Sequence, residues 1–314
     1  MLAFFLPFSP SADWAPPQLS LSQRVSTNHT LSGQELLRIG ETHEFQRHFP
    51  ESLTYYQLAL SSFRDKKQTR GIAVALVKIA RVYERQDKFR DADVALQEAV
   101  PILARSSDQP AHARALLVAG RVSARLGYLE EAQVSLARAV TLFDRAKDQA
   151  GRNEALIQLG LLQVGDGSSE PGLSTLQQVR QQAAAHLDRR QELAAVVALG
   201  TASWLLDRAT EARRYYEEGL QLAEQERDAQ VGAVLRLRLA YLYAENDRLT
   251  DAVESAKRAL MLSQTLRDAA AEAAALSLLS HLYRKAGQPA QADEAEQRAL
   301  LLYSHRQILV HGDR

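Results

Sequence analysis

The sequence predicts an all-α protein, a linear array of about seven helix–turn–helix units. Three observations predict it. The composition favours helix: 46% of the 314 residues are hydrophobic, Gly (15) and Pro (9) are scarce, and Ala, Leu, Arg, Glu and Gln dominate over the β-branched runs that a sheet requires. Small residues recur every forty positions at three fixed offsets. Turn-forming residues recur on the same ruler.

The first helix of each unit is defined by a small residue at multiples of forty: Gly40, Ala80, Gly120, Gly160, Gly200, Ala240 and Ser280. A large apolar residue usually precedes it, as at Ile39, Ile79, Leu159, Leu199, Leu239 and Leu279, and another row lies four before, from Leu36 and Leu76 to Leu276. Leu76, Ile79, Ala80 and Tyr83 then form an i, i+3, i+4, i+7 stripe, one buried helix face. The turn that ends this helix falls at Asp87, Gly127, Gly167, Asp207, Asp247 and Gly287, residue types that tolerate the geometry of a helix stop.

The second helix carries the other two small rows. One is Ser52, Ala92, Ala132, Gly172, Ala212, Ala252 and Ala292; the other is Ala59, Ala99, Ala139, Val179, Gly219, Ala259 and Ala299. Small residues at fixed offsets bring helix axes close, because a larger side chain there would hold two backbones apart. Asp108, Asp148, Asp188, Asp228 and Asp268 stand just before the next apolar-periodic run and read as N-caps.

In "LVKIARVYERQDKFRDADVALQEAV", Ala80, Tyr83, Phe89, Ala92 and Ala99 occupy small and aromatic positions in a pattern that resembles the tetratricopeptide repeat (TPR). The usual unit is about 34 residues. The forty-residue unit here is similar to the longer-helix variant of kinesin light chains and bacterial peptide-sensing regulators. The resemblance covers roughly residues 33–305 and implies a right-handed α-solenoid of about seven TPR-like repeats, its first helices lining a concave groove. Residues 33–307 are accordingly expected to form the array, with residues 308–314 as a tail.

Residues 1–32 are expected to be an extended or disordered leader. "MLAFFLPFSPSADWAPP" has an apolar run of eight residues broken at Pro7, and no Lys or Arg precedes Arg24. A secretory signal needs a basic start and a longer apolar run, and a spanning helix needs more length still. The expected location is cytoplasmic; the alternative, export, would make this stretch the remnant of a signal.

Two departures from the pattern stand out. The fourth unit reads "QVGDGSSEPGLSTL", a Gly-rich turn that lacks the Gly-Lys-Ser/Thr ending of a phosphate loop and is expected to act as a looser turn or hinge. In the last unit Glu296 takes the row of Tyr56, Leu96, Leu136, Leu176 and Tyr216, which suggests a terminal cap with no helix beyond it.

The chemistry-bearing residues form no recognisable constellation. The eight histidines include no helical His-Glu-x-x-His pair, there is no Cys for a thiolate zinc site or a disulfide, and no nucleophile elbow, kinase loop or dinucleotide fingerprint appears. A formal charge of 38 against 38 argues against general nucleic-acid binding. No cofactor, no metal and no catalytic residue are expected.

What remains is surface. On the first helix of the second unit, Lys78, Arg81 and Arg85 lie opposite the core stripe, and in the third unit Arg114, Arg121 and Arg125 occupy the same side. These cations are either paired locally, with Glu84 as one example, or form a clamp for an acidic segment or a C-terminal carboxylate. Further along the row turns apolar: Ala194, Val197, Ala198, Thr201, Trp204 and Leu205, then Val234, Leu237 and Tyr241. Trp204 either packs between helices or, with Tyr241, anchors a partner's side chain. The expected function is a non-catalytic protein–protein interaction scaffold that binds a peptide or protein segment, with no nucleic acid and no membrane span. The alternative is a sensory or regulatory module related to arrays joined to a peptidase-like or transcriptional effector.

Overall fold

The computed structural model describes residues 31–311; the expected leader lies outside them, apart from its last two residues. The fourteen helices of the described residues are α1 (Gly33–Phe45), α2 (Phe49–Asp65), α3 (Thr69–Arg85), α4 (Phe89–Ala104), α5 (Gln109–Leu126), α6 (Leu129–Arg145), α7 (Gln149–Gly165), α8 (Ser169–Ala185), α9 (Arg189–Leu205), α10 (Ala209–Gln225), α11 (Ala229–Glu245), α12 (Leu249–Thr265), α13 (Ala269–Lys285) and α14 (Pro289–His311). Odd-numbered helices are the first, and even-numbered helices the second, of each forty-residue unit. The described residues contain no strand, and no helix among them is long and apolar enough to cross a membrane.

The chain divides into two compact parts, Met1–Ile102 and Leu103–Arg314. The division falls inside α4, just past Pro101, a proline in the helix interior. In the first part α1, α2 and α3 pack successively, and α1 also touches α3. In the second, each helix from α5 to α14 packs on the next, and α5–α7, α7–α9 and α11–α13 also meet. Within each part, hairpins contact their neighbours in turn, as in a helical repeat array.

The small rows lie where the packing is tightest. Ala80, Ala240, Ala92, Ala132, Ala212, Ala252, Ala292, Ala59, Ala99, Ala139 and Ala259 are fully buried. A glycine on a first helix lies against a large side chain of the second, as Gly40 does against Tyr56 and Gly120 against Leu136. A Cβ added at Gly200 would sit 2.5 Å from the Tyr216 ring, so glycine there makes room for tyrosine. In the fourth unit Gly160 and Gly172 let the backbones themselves approach, and a Cβ on Gly172 would come within 2.6 Å of the Gly160 carbonyl. Val179, on the same helix as Gly172, is fully buried.

The connections repeat at every twenty residues. In each, apart from the one after α4, a single residue adopts left-handed φ: Arg47, Lys67, Asp87, Gly127, Lys147, Gly167, Leu187, Asp207, Arg227, Asp247, Arg267 and Gly287. After α2, for example, Lys67 donates to the Arg64 carbonyl and Gln68 to the Phe63 carbonyl, the paired bonds of a Schellman stop. The residue after the left-handed one directly precedes the next helix, and where it is aspartate its side chain caps that helix. Asp148 shows both roles: its N–H reaches the Phe143 carbonyl at 2.9 Å, and its carboxylate accepts from the Gly151 N–H at 2.9 Å. Asp108, Asp188, Asp228 and Asp268 accept in the same way from Ala111, Gln191, Val231 and Ala271. An aspartate such as Asp148 thus closes one helix and opens another, which is how a connection of a few residues leaves few helix-end groups unpaired. Glu296, on α14, forms an ion pair with Arg284 of α13.

Candidate functional site

The side of the first helices opposite the core changes in character along the chain. On α3, Lys78 pairs with Glu41 at 2.7 Å, Arg81 with Glu44 at 2.8 Å, and Arg85 approaches Glu44 at 3.7 Å. Both carboxylates belong to α1. Glu44 is buried and also accepts a 2.7 Å hydrogen bond from the Tyr56 hydroxyl of α2. Burial, and then the bond to Glu44 and its charge, push the Tyr56 hydroxyl well above its ordinary range. One carboxylate therefore ties three helices together, and it is satisfied from each side.

On α5 the pattern repeats with partners from the following first helix. Arg114 faces Asp148 at 3.6 Å and Arg121 pairs with Glu154 of α7 at 2.7 Å, while Arg125 is exposed. Five of the six cations that the spacing singles out therefore face a carboxylate from a neighbouring first helix or its cap. Charges in one row are offset by charges in the next.

On α9 and α11 the face is apolar and open. Trp204 is 47% exposed, Leu205 54%, Val234 41% and Tyr241 49%. Trp204 is therefore not enclosed between helices. Ala198, in the same sequence row, is buried, and Val197, Thr201 and Leu237 are half-buried.

One cation sits within this apolar face. Arg238, half-buried on α11, donates to the Thr201 hydroxyl at 2.6 Å and to the Tyr216 hydroxyl at 3.0 Å, and its guanidinium lies 5.6 Å from the centre of the Tyr216 ring. The Thr201 hydroxyl in turn donates to the Val197 carbonyl at 2.9 Å. Among the described residues no carboxylate pairs with Arg238. The repeat explains why. Tyr216 stands where Tyr56 stands, four units earlier, and the counterpart of Glu44 is Trp204. The tyrosine is kept; Arg238 takes the row of Lys78, whose acid Glu41 is replaced by Thr201, while Glu44 and its partner Arg81 are replaced by Trp204 and Tyr241.

Spacing alone identifies Trp204 and Tyr241 but passes over Arg238, Thr201 as a hydrogen-bond partner, and Tyr216. A signal is present: Arg238 lies four units after Lys78, on the same row. What sequence does not show is that its counter-ion is missing, because the carboxylates that pair the other cations come from elements more than thirty positions away, as in Arg81–Glu44 and Arg121–Glu154.

No protein-family model and no curated protein matches the sequence. Solved structures do resemble it. The Rap conjugation gene regulator of the plasmid pLS20, in complex with the Phr* peptide, is similar with a TM-score of 0.63 at 19% identity, over 98% of this chain and 83% of that one. A Rap protein complexed with Competence and Sporulation Factor gives a TM-score of 0.66 at 15% identity, over 90% of this chain and 79% of the other. Nearly identical TPR-like repeats from a Podosopora anserina protein described as a kinesin light chain give 0.52 at 16% identity, over 62% of this chain and 96% of theirs. At these identities the likeness concerns the fold, and the chain has the fold of tetratricopeptide-type repeat proteins.

Proposed function

We propose that this chain is a non-catalytic interaction scaffold that binds a peptide through the face of α9 and α11, an apolar side chain lying against Trp204 and Tyr241 and a carboxylate meeting Arg238. The observation that carries the reading is the loss of both acids of the first unit, with Thr201 standing for Glu41 and Trp204 for Glu44. It leaves a half-buried guanidinium with only neutral partners, Thr201 and Tyr216, beside exposed aromatic surface. A ligand carboxylate would restore the charge pairing that the first unit makes internally, and Arg is suited to it because its fork can give two parallel bonds. Aromatic and Arg side chains dominate binding hot spots.

Lys78, Arg81, Arg85, Arg114, Arg121 and Arg125 enter the proposal as a weaker electrostatic contribution. Five of them already face carboxylates, so an acidic partner gains there only the difference between its own contact and the one it displaces. The regulatory alternative draws support from the fold-level likeness to the two Rap proteins, one of them a gene regulator in complex with a peptide. It uses the same face, so both readings make the same demand on it.

The test is a selection of random peptides displayed on phage, with binders retitrated against wild type, Arg238→Gln and Trp204→Ala at two salt concentrations. Enriched peptides are expected to carry an aromatic or aliphatic residue next to Asp, Glu or a free C-terminus. Arg238→Gln should cost about 1.5–3 kcal/mol, as loss of a charge-assisted bond does. Trp204→Ala should weaken the same peptides with little dependence on salt. Binders indifferent to both substitutions would place the site elsewhere.

A further inference from the structure

Away from that face, a notch opens between α10, α11 and α12. Its volume is about 520 Å³, and Leu220, Ala223, Ala229, Gly232, Met261 and Leu262 line it. The repeat shows which two side chains are missing from it. At the row of Gly232, units two to five and unit seven carry Ile72, His112, Arg152, Glu192 and Glu272, each at least half-buried. At the row of Ala223, units one to four and unit six carry Phe63, Leu103, Phe143, Ala183 and Ser263, and the last unit carries Tyr303. Where the second row is small, the first supplies a plug: Glu192 accompanies Ala183 and pairs with Arg189 at 2.7 Å, and Glu272 accompanies Ser263 and accepts from Gln264 at 3.0 Å. Only the Ala223–Gly232 pair is small at both rows. A Cβ built on Gly232 meets nothing closer than Leu262 Cδ1 at 3.8 Å, so there is room for a side chain.

The charges at the mouth are mostly engaged. Arg236 pairs with Glu224 at 2.9 Å, Arg258 pairs with Glu254, and the Asp228 carboxylate caps α11 through the Val231 N–H at 3.0 Å. Arg227 is exposed at the rim and forms no ion pair among the described residues. Apolar walls with one open cation at the edge complement a molecule with an apolar body and one negative end, and the volume lies within the range of small-molecule sites.

We propose that this notch is a binding site for a small amphiphilic anion, an aromatic or short acyl carboxylate whose body takes the place of the missing plug and whose charge meets Arg227. It is independent of the peptide-binding reading. The probe is 1-anilinonaphthalene-8-sulfonate, compared with its uncharged parent N-phenyl-1-naphthylamine, titrated by fluorescence into the native protein. Saturable binding at one site is expected. Gly232→Ile, which restores the residue type of the second unit, should weaken both dyes by at least about tenfold, since it fills the space that they occupy. Arg227→Gln, on the surface, should weaken the sulfonate by about fivefold and leave the parent unchanged, as expected for one exposed ion pair. Trp204→Ala should alter neither. Unchanged binding to a folded Gly232→Ile variant overturns the site, and sulfonate binding indifferent to Arg227→Gln overturns the anion. Should Gly232→Ile fail to fold by circular dichroism, Arg227→Gln still decides. A wild type that binds neither dye overturns the small-molecule assignment in favour of a partner's side chain.

Discussion

Leu187 is the residue that most clearly bears a cost for the architecture. It adopts φ +58° at the stop after α8, where other connections place Gly127, Gly167 or Gly287, and its side chain is 76% exposed. An L-residue in left-handed geometry costs about 1–2 kcal/mol, and an exposed leucine recovers little of that by burial. Leu187→Gly removes the steric cost but gives the unfolded chain more freedom, so the net gain should be about 0.5–1 kcal/mol. A thermal melt checks it; a variant that melts lower than wild type would mean that Leu187 makes contacts that offset its strain. The same position shows a limit of reading structure from residue types. Gly and Asp at 87, 127, 167, 207, 247 and 287 announce their turns, whereas Arg, Lys and Leu at 47, 67, 147, 187, 227 and 267 do not, although all adopt one geometry. At 147, 187, 227 and 267 the aspartate one residue later marks the boundary instead, through its capping role. Arg238 is illegible for a related reason: what distinguishes it is the absence of an acid beside it, and which acids stand beside which bases is decided by packing between helices far apart in sequence.

At the scale of an element, α4 departs from its equivalents. Pro101 sits in its interior, where the other second helices carry Ser61, Thr141, Gln181, Gln221, Met261 and Leu301. Proline cannot donate to the carbonyl of residue 97, and its ring crowds that carbonyl. The connection that follows is also different. Instead of the paired stop bonds, the Ser106 hydroxyl donates to the Leu103 carbonyl at 2.8 Å and accepts from the Asp108 N–H at 3.2 Å. The period alone predicts α4 correctly, because Ala92, Leu96, Ala99 and Leu103 keep their rows and are buried; the proline is overruled by the face that it does not touch. Pro101→Gln, the residue type found at the equivalent position of units four and five, should restore the missing bond and raise stability by about 1–3 kcal/mol. Denaturant midpoints measure this. A midpoint that does not rise would show that the α4 backbone is held away from helical geometry by its neighbours rather than by its own proline.

Over the molecule as a whole, stability in an array is close to a sum of terms for each hairpin and each interface, so the weakest hairpin opens first. The fourth unit is the candidate within residues 103–314. Its turn has the same left-handed geometry as the rest, at Gly167 φ +97°, so the fold is not interrupted there. Its local stability is another matter. Gly165 ends α7 and Gly167 forms the stop; a Cβ on either would meet nothing within 4 Å, so neither glycine is required by close packing. Each gives the unfolded segment extra freedom, and a helical glycine costs about 0.5–1 kcal/mol relative to alanine. In the α7–α8 contact Leu176 lies against Gly160 as Leu136 lies against Gly120, but Gly172 stands where Ala132 and Ala212 stand, so that the contact has one methyl fewer. Native-state hydrogen exchange should therefore be faster across residues 164–174 than across residues 124–134. Gly165→Ala, which has room and helical geometry, should slow it by the factor that about 0.5–1 kcal/mol implies, while Gly172→Ala should speed it, because its Cβ would strike the Gly160 carbonyl. Equal protection of the two segments in wild type, or a Gly172→Ala variant that opens no faster, would mean that the fourth hairpin is held as firmly as its neighbours and that its glycines record only how closely two helices pass.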